Sequence, residues 1–124
     1  MKNFLLVFLG GGFGSGLRYL ITILTNQNSK FLPFGTFAVN MLGCMLIGLI
    51  LGYAQKENTL TSSQTLLLAT GFCGGFTTFS AFANENLELI KNGDIFTFTI
   101  YTSGSILIGI LAVFFGYLLI NFKY

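Results

Sequence analysis

GFCGGFTTFSAFANE, Gly71 to Glu85, lies in the third of four long apolar segments and decides how the rest of the chain is understood. Two adjacent glycines, Gly74 and Gly75, stand near the middle of that segment, where continuous helix is otherwise expected. Thr77, Thr78 and Ser80 follow them, with Phe76, Phe79 and Phe82 interleaved. Glycine weakens a helix interior, and threonine hydroxyls can bond back to carbonyls that a broken helix releases. A break is therefore expected near residues 74–77. Unwound backbone at membrane depth survives only where it is buried in protein or lines a polar cavity, and its carbonyls commonly bind an ion. A plain membrane anchor has no use for such a stretch; a site does.

The surrounding composition makes membrane depth the right frame. Of 124 residues, 53% are hydrophobic and 8% charged, and there is neither tryptophan nor histidine. Soluble domains do not have this balance. A helix needs about 20 apolar residues to cross the hydrocarbon core, and residues 4–24, 34–53, 65–90 and 95–122 each supply such a run. The expected fold is an all-α membrane protein, one domain over 1–124, with four transmembrane helices and the third broken near its middle. The connections TNQNSKFLP, AQKENTLTSS and KNGD leave no room for a soluble domain. Residues 4–24 are expected to stay as the first helix, because Arg18 and Tyr19 occupy the place of a signal-peptide cleavage site. No enzyme is expected, since no histidine, nucleophile with an adjacent base, or phosphate-binding loop is present. No nucleic-acid partner is expected either. Cys44 and Cys73 lack metal-ligand spacing and are expected to pack as small polarizable residues.

Charge says little about which way the chain inserts, and that is informative. With four helices both termini share a side, so Lys2, Lys56 and Lys123 oppose Lys30 and Lys91, and counting Arg18 with the second group removes the difference. The positive-inside rule then gives no firm orientation. Insertion both ways would let two copies assemble antiparallel about an axis in the membrane plane, as inverted repeats do within one chain.

The helices carry a sparse set of polar and aromatic residues. Small residues recur at spacing four (Gly10 and Gly14, Gly12 and Gly16, Gly48 and Gly52, Gly71 and Gly75, Ser105 and Gly109), a pattern of close helix packing in lipid. Arg18 either snorkels to an interface or supplies an anion-attracting charge in a vestibule. Thr36 and Asn40 share a face of the second helix, and Asn40 must find partners for an amide in hydrocarbon. Beyond the break, helical spacing gives three rows: Phe79, Phe82 and Asn86; Thr77, Ser80 and Asn84; Thr78, Ala81 and Glu85. Phenylalanine ring edges carry partial positive charge, so Phe79 and Phe82 can face an anion while hydroxyls donate to it. Phe76 is expected to be packing. Tyr101 and Ser105, four apart in the last helix, add hydroxyls of the kind a dehydrating ion pathway needs. Thr97, Thr99, Thr102 and Ser103 are expected to bond to their own helix carbonyls.

LGGGFGSGLRY, PFGTFAVN and GFCGGFTTFSAF together resemble the Fluc (CrcB) fluoride channels of bacteria, whose pattern has a GGxxG run leading to an arginine, a GTxxVN and a GxxGGxTTFSTF. The resemblance spans essentially the whole chain. It implies a fluoride-selective passive channel that exports fluoride from the cytoplasm and protects against its toxicity. It further implies an antiparallel dual-topology homodimer in the inner membrane. Carried over by position, it puts the pore phenylalanines on Phe79 and Phe82, the pore asparagine on Asn40 and the vestibule arginine on Arg18. Pathway hydroxyls fall on Ser80, Tyr101 and Ser105, Thr36 stands beside Asn40, and the acidic residue is Glu85. It also implies a structural sodium ion, not transported, bound by the main-chain carbonyls of Gly74 and Thr77. Where the family has threonine this chain has Ala81, one hydroxyl fewer.

Two other classes bear on the same features. A proton-coupled exporter of organic cations, of the small multidrug resistance kind, needs a carboxylate in its first helix, and this chain has none there. A non-transporting assembly subunit would use the rings and hydroxyls as packing, and ion flux from purified protein separates it from both others.

Overall fold

The computed structural model describes residues 1–26, 33–56 and 60–122. Lys30 and Lys123, which enter the charge balance above, lie outside them. The described chain is helical: α1 (Lys2–Asn26), α2 (Phe34–Gln55), α3 (residues 62–76), α4 (Phe79–Lys91) and α5 (Ile95–Asn121). Helices α3 and α4 are the two halves of the third span, so four spans are long and apolar enough to cross a membrane. No strand occurs among the described residues.

Each boundary has a local cause. Thr61 opens α3 through a capping box: its hydroxyl accepts from the Gln64 amide at 3.3 Å and its own amide donates to Gln64 Oε1 at 2.9 Å. The span consequently starts at Ser62, ahead of the residue 65 that hydropathy alone suggests. Gly93 ends α4 at φ +73°, where a side chain would be strained. Its amide donates to the Ile90 carbonyl and the Asp94 amide to the Leu89 carbonyl, both at 3.0 Å, the two bonds of a Schellman motif. Asp94 then caps α5, accepting from the Thr97 amide at 3.0 Å.

The break falls at the end of the expected stretch 74–77, and the glycines do not make it. Leu66–Cys73 is wound as a π-helix, a rare form, and Gly74–Phe76 continues as α-helix. The chain leaves helical geometry only at Thr77 (φ −75°, ψ 155°) and Thr78 (φ −146°, ψ 113°). Gly75 serves close approach: a Cβ there would fall on the Gly11 carbonyl oxygen of α1. Gly10 and Gly14 abut the Leu67 and Phe72 carbonyls in the same way. This backbone-to-backbone seam joins α1 to α3. A second seam joins α2 to α5, where Gly48 abuts the Val113 carbonyl and Gly116 the Met45 carbonyl. Because Thr77 and Thr78 are extended, the rows Thr77–Ser80–Asn84 and Thr78–Ala81–Glu85 do not run unbroken along a helix. Only their members from Phe79 onward share one.

Candidate functional site

The site grows from the break. An uninterrupted helix would send the Thr78 amide to the Gly74 carbonyl and the Ala81 amide to the Thr77 carbonyl. Here the Thr78 amide donates to Asn40 Oδ1 at 2.8 Å, and the Ala81 amide donates to Thr78 Oγ1 at 3.2 Å as a helix cap. The Gly74 and Thr77 carbonyls are thereby released from their helical donors. Three nearby carbonyls are occupied: Cys73 O accepts from the Thr77 amide at 3.0 Å and from Thr77 Oγ1 at 2.9 Å. Gly75 O accepts from Ser15 Oγ at 3.2 Å, and Thr78 O accepts from Asn40 Nδ2 at 3.1 Å. The Gly74 and Thr77 carbonyls, which the resemblance assigns to a cation, are thus among those released at the break.

Asn40 reaches Thr78 because Gly43, one turn on, lets α2 press against the break; a Cβ there would fall on the Thr77 methyl. Both ends of the Asn40 amide bind Thr78 backbone, which leaves one N–H of its NH2 group for another acceptor. Thr36, on the same face, is 3% exposed and donates its hydroxyl to Glu85 Oε1. Tyr101 donates to Glu85 Oε2 at 2.7 Å. Glu85 therefore joins α2, α4 and α5, and it holds two of the hydroxyls that the sequence places on the pathway.

The rings of α4 stand beside this polar set. Phe79 and Phe82 lie 5.7 Å apart between centroids, and Phe82 lies 5.3 Å from Tyr101. Phe79 is 79% exposed, whereas Phe76 is buried as packing. Ser80 is exposed and shares a hydrogen bond of 3.2 Å with Thr78 Oγ1. Ser105 differs from the other hydroxyls: its Oγ is buried and has no hydrogen-bond partner among the described residues. Asn40, Gly74, Thr77, Phe79, Phe82 and Ser105 line one open groove of about 570 Å³. Both cysteines line it too and carry free thiols. Arg18 is half-buried on α1 and makes no hydrogen bond or ion pair with the described residues, so the structure does not bring it to the others.

Three roles escape the sequence reading, which places Thr78 only in a hydroxyl row. Ser15 and Thr78 shape the break, and Thr102 bonds to Asn86 Oδ1 at 2.7 Å rather than to its own helix. Thr99 behaves as expected, donating to the Ile95 carbonyl at 2.8 Å. A threonine directly before a helical run is a capping signal, so Thr78 was legible. Nothing in the spacing marks Ser15 or Thr102.

Four spans, a split third one, and released carbonyls beside an amide and a buried hydroxyl define a small multi-pass membrane protein with a mostly apolar, ring-walled groove that carries a few polar groups. Comparison with known proteins narrows the class. The family described as CrcB-like protein, Camphor Resistance (CrcB), matches residues 5–117, and the chain belongs to that family. A protein of Phocaeicola vulgatus named fluoride-specific ion channel FluC is 50% identical over 94% of this chain and 96% of its own length. Proteins of the same name from Flavobacterium psychrophilum and Oceanobacillus iheyensis are 44% and 42% identical, covering 94% of this chain and 94% and 89% of their own lengths.

Proposed function

We propose that this chain is a fluoride-selective passive channel of the bacterial inner membrane, exporting fluoride from the cytoplasm and protecting the cell from it. The carrying observation is the Ser105 hydroxyl, buried on the groove without a partner among the described residues. A buried polar group left unpaired is costly, and a small anion accepting its proton removes that cost. Asn40, with an N–H to spare, and the rings of Phe79 and Phe82 line the same groove. Together they offer replacement for water lost by a strongly hydrated anion. Thr36 and Tyr101 are held by Glu85, so they donate to the ion only on leaving the carboxylate. The names of the three relatives support fluoride as the ion.

The working unit in this reading is an antiparallel, dual-topology homodimer. Support comes from what is exposed beside the break: Gly74, Phe79 and Ser80 all lie open there. Lipid cannot satisfy released carbonyls, so the groove needs a protein cover, and a second copy presents the complementary face. Facing carbonyls of two copies would repel, and a central cation relieves them. Gly74 and Thr77 fit that role, because their oxygens are among those released at the break. Four carbonyl oxygens from two copies, without a carboxylate, suit a monovalent ion such as sodium, held structurally and not moved.

The test is efflux from liposomes holding the purified protein, comparing fluoride with chloride. Fluoride should leave much faster, and Phe79→Ile or Phe82→Ile should sharply slow it while the dimer stays assembled. Equal passage of both anions would overturn the reading, and unchanged efflux from both variants would return the rings to packing. A reporter on the C-terminus should be found on both sides of the membrane; one orientation in every molecule would remove the homodimer.

A further inference from the structure

Helix α4 carries both phenylalanines, yet two extended residues separate it from α3, so helix continuity does not set its rotation. Asn40 ties down the backbone just before it. One turn past Phe82 stands Asn86, only 7% exposed. Its Nδ2 donates to the Phe82 carbonyl at 2.8 Å, and its Oδ1 accepts from Thr102 Oγ1 of α5 at 2.7 Å. The preceding residue, Glu85, accepts from Tyr101, which precedes Thr102. Two consecutive residues of α4 are thus bonded to two consecutive residues of α5.

The two rungs are not equivalent. Glu85 has only acceptors, and its bonds run outward to two other helices. Asn86 uses its donor on its own helix and its acceptor on the neighbour. A planar amide engaged at both ends has one orientation, and turning α4 about its axis would break one bond or the other. Neither Asn86 nor Thr102 lines the groove. Among the described residues α4 is joined to its neighbours by no glycine seam of the kind that joins α1 to α3, so its rotation rests on side-chain contacts.

We propose that the Asn86–Thr102 pair is the rotational lock of the phenylalanine helix, a positioning pair that holds Phe82 on Tyr101 at the groove wall without touching the ion. The consequence for flux rests on the fluoride reading above; the lock itself does not.

Purified wild type, Asn86→Leu, Thr102→Val, the double variant and Thr102→Ser are compared in liposomes. Asn86→Leu and Thr102→Val should each slow fluoride efflux about three- to tenfold, the range expected of one hydrogen bond between membrane helices. The double variant should be no slower than the worse single one. Thr102→Ser keeps the hydroxyl and should conduct near the wild-type rate, and the fluoride-to-chloride ratio should fall in the two slowed variants. Wild-type rates in Asn86→Leu and Thr102→Val, additive losses, or a Thr102→Ser as slow as Thr102→Val would overturn the lock. If Asn86→Leu does not assemble, the Thr102 pair decides alone. Amide hydrogen exchange over residues 79–91 gives a readout independent of flux. Exchange should be faster in Thr102→Val than in Thr102→Ser, and equal protection in both would overturn the lock. A wild type that passes no fluoride would instead overturn the channel reading and leave the exchange result standing.

Discussion

The seam between α1 and α3 and the socket that holds α4 solve the same problem by opposite means. At the seam, glycine removes side chains so that backbone meets backbone: Gly14 against the Phe72 carbonyl, Gly75 against that of Gly11. At the socket, side chains do the joining: Asn40 to Thr78, Thr36 and Tyr101 to Glu85, Thr102 to Asn86. In lipid, packing and interhelical hydrogen bonds are the two available sources of association. Among the described residues Ser15 makes the one side-chain hydrogen bond across the seam, which leaves no room to adjust. The socket is polar, opens on the groove, and can exchange partners. Rigid scaffold and adaptable site are thus separated within the third span, on either side of Thr77 and Thr78.

The largest expected effect comes from filling the seam. A methyl at Gly14 or Gly75 meets backbone, which cannot step aside as a flexible side chain can. Overpacking a fitted interior costs about 1–3 kcal/mol, and clashes with main chain lie at the upper end. Gly14→Ala and Gly75→Ala should therefore lower the yield of folded protein and its melting temperature in detergent. A Cβ at Gly12 on the same helix meets nothing within 4 Å. Gly12→Ala should match wild type or exceed it slightly, alanine being favoured in helices by about 1 kcal/mol. A Gly14→Ala protein as stable as Gly12→Ala would break the contrast between seam and socket.

An intermediate effect is expected at the socket. Asn40→Leu removes both bonds to Thr78 and restores nothing to the Thr78 amide and carbonyl. The protein should still be recovered, with stability lower by about 1–3 kcal/mol and fluoride efflux strongly reduced. Sodium sharpens the same point. If the released Gly74 and Thr77 carbonyls hold it between two copies, thorough sodium removal should slow efflux, and its return should restore efflux without sodium itself crossing. Undiminished efflux with no cation present would leave the break as a bend with no ion in it.

Much of this architecture could be read from the sequence because apolar runs of spanning length dictate four helices whatever their partners. The seams could be read only as a weak pattern. Spacing shows that Gly71 and Gly75 share a face, but not that the face meets a helix whose Ser15 lies 60 positions from Gly75. Lacking that partner, two glycines in mid-span suggest a break, whereas both are helical and the break follows them. The polar site was legible by cost: an amide at Asn40 in hydrocarbon must be bonded, but its partner is backbone 38 positions away. Thr99 and Thr102 look alike in sequence, yet one bonds to its own helix and the other across to α4, since only Thr102 faces Asn86. The capping box at Thr61 needed no partner at all, and TSSQ alone is enough to start α3 at Ser62.

The smallest effect belongs outside both regions, at the turn from α4 to α5, and it measures how little the site depends on that turn. The Thr97 hydrogen bonds, side chain first and backbone second, hold the Asp94 carboxyl below its ordinary range. A carboxyl with a depressed folded value adds stability that is complete above the unfolded value, about 4. That contribution disappears as pH falls through the lower folded value. Asparagine caps a helix about as well and does not titrate in this range. The melting-temperature difference between wild type and Asp94→Asn should therefore stay level from neutral pH to about 5 and shift against wild type in stronger acid. The shift should be slight, because an exposed charge is screened by solvent and salt. Fluoride efflux at neutral pH should be the same in both proteins, since α4 is held by the socket and its Schellman end rather than by the Asp94 charge. A difference that stays level through the acid range would show that the cap does not depend on ionisation, and an efflux defect in Asp94→Asn would extend the site to the turn.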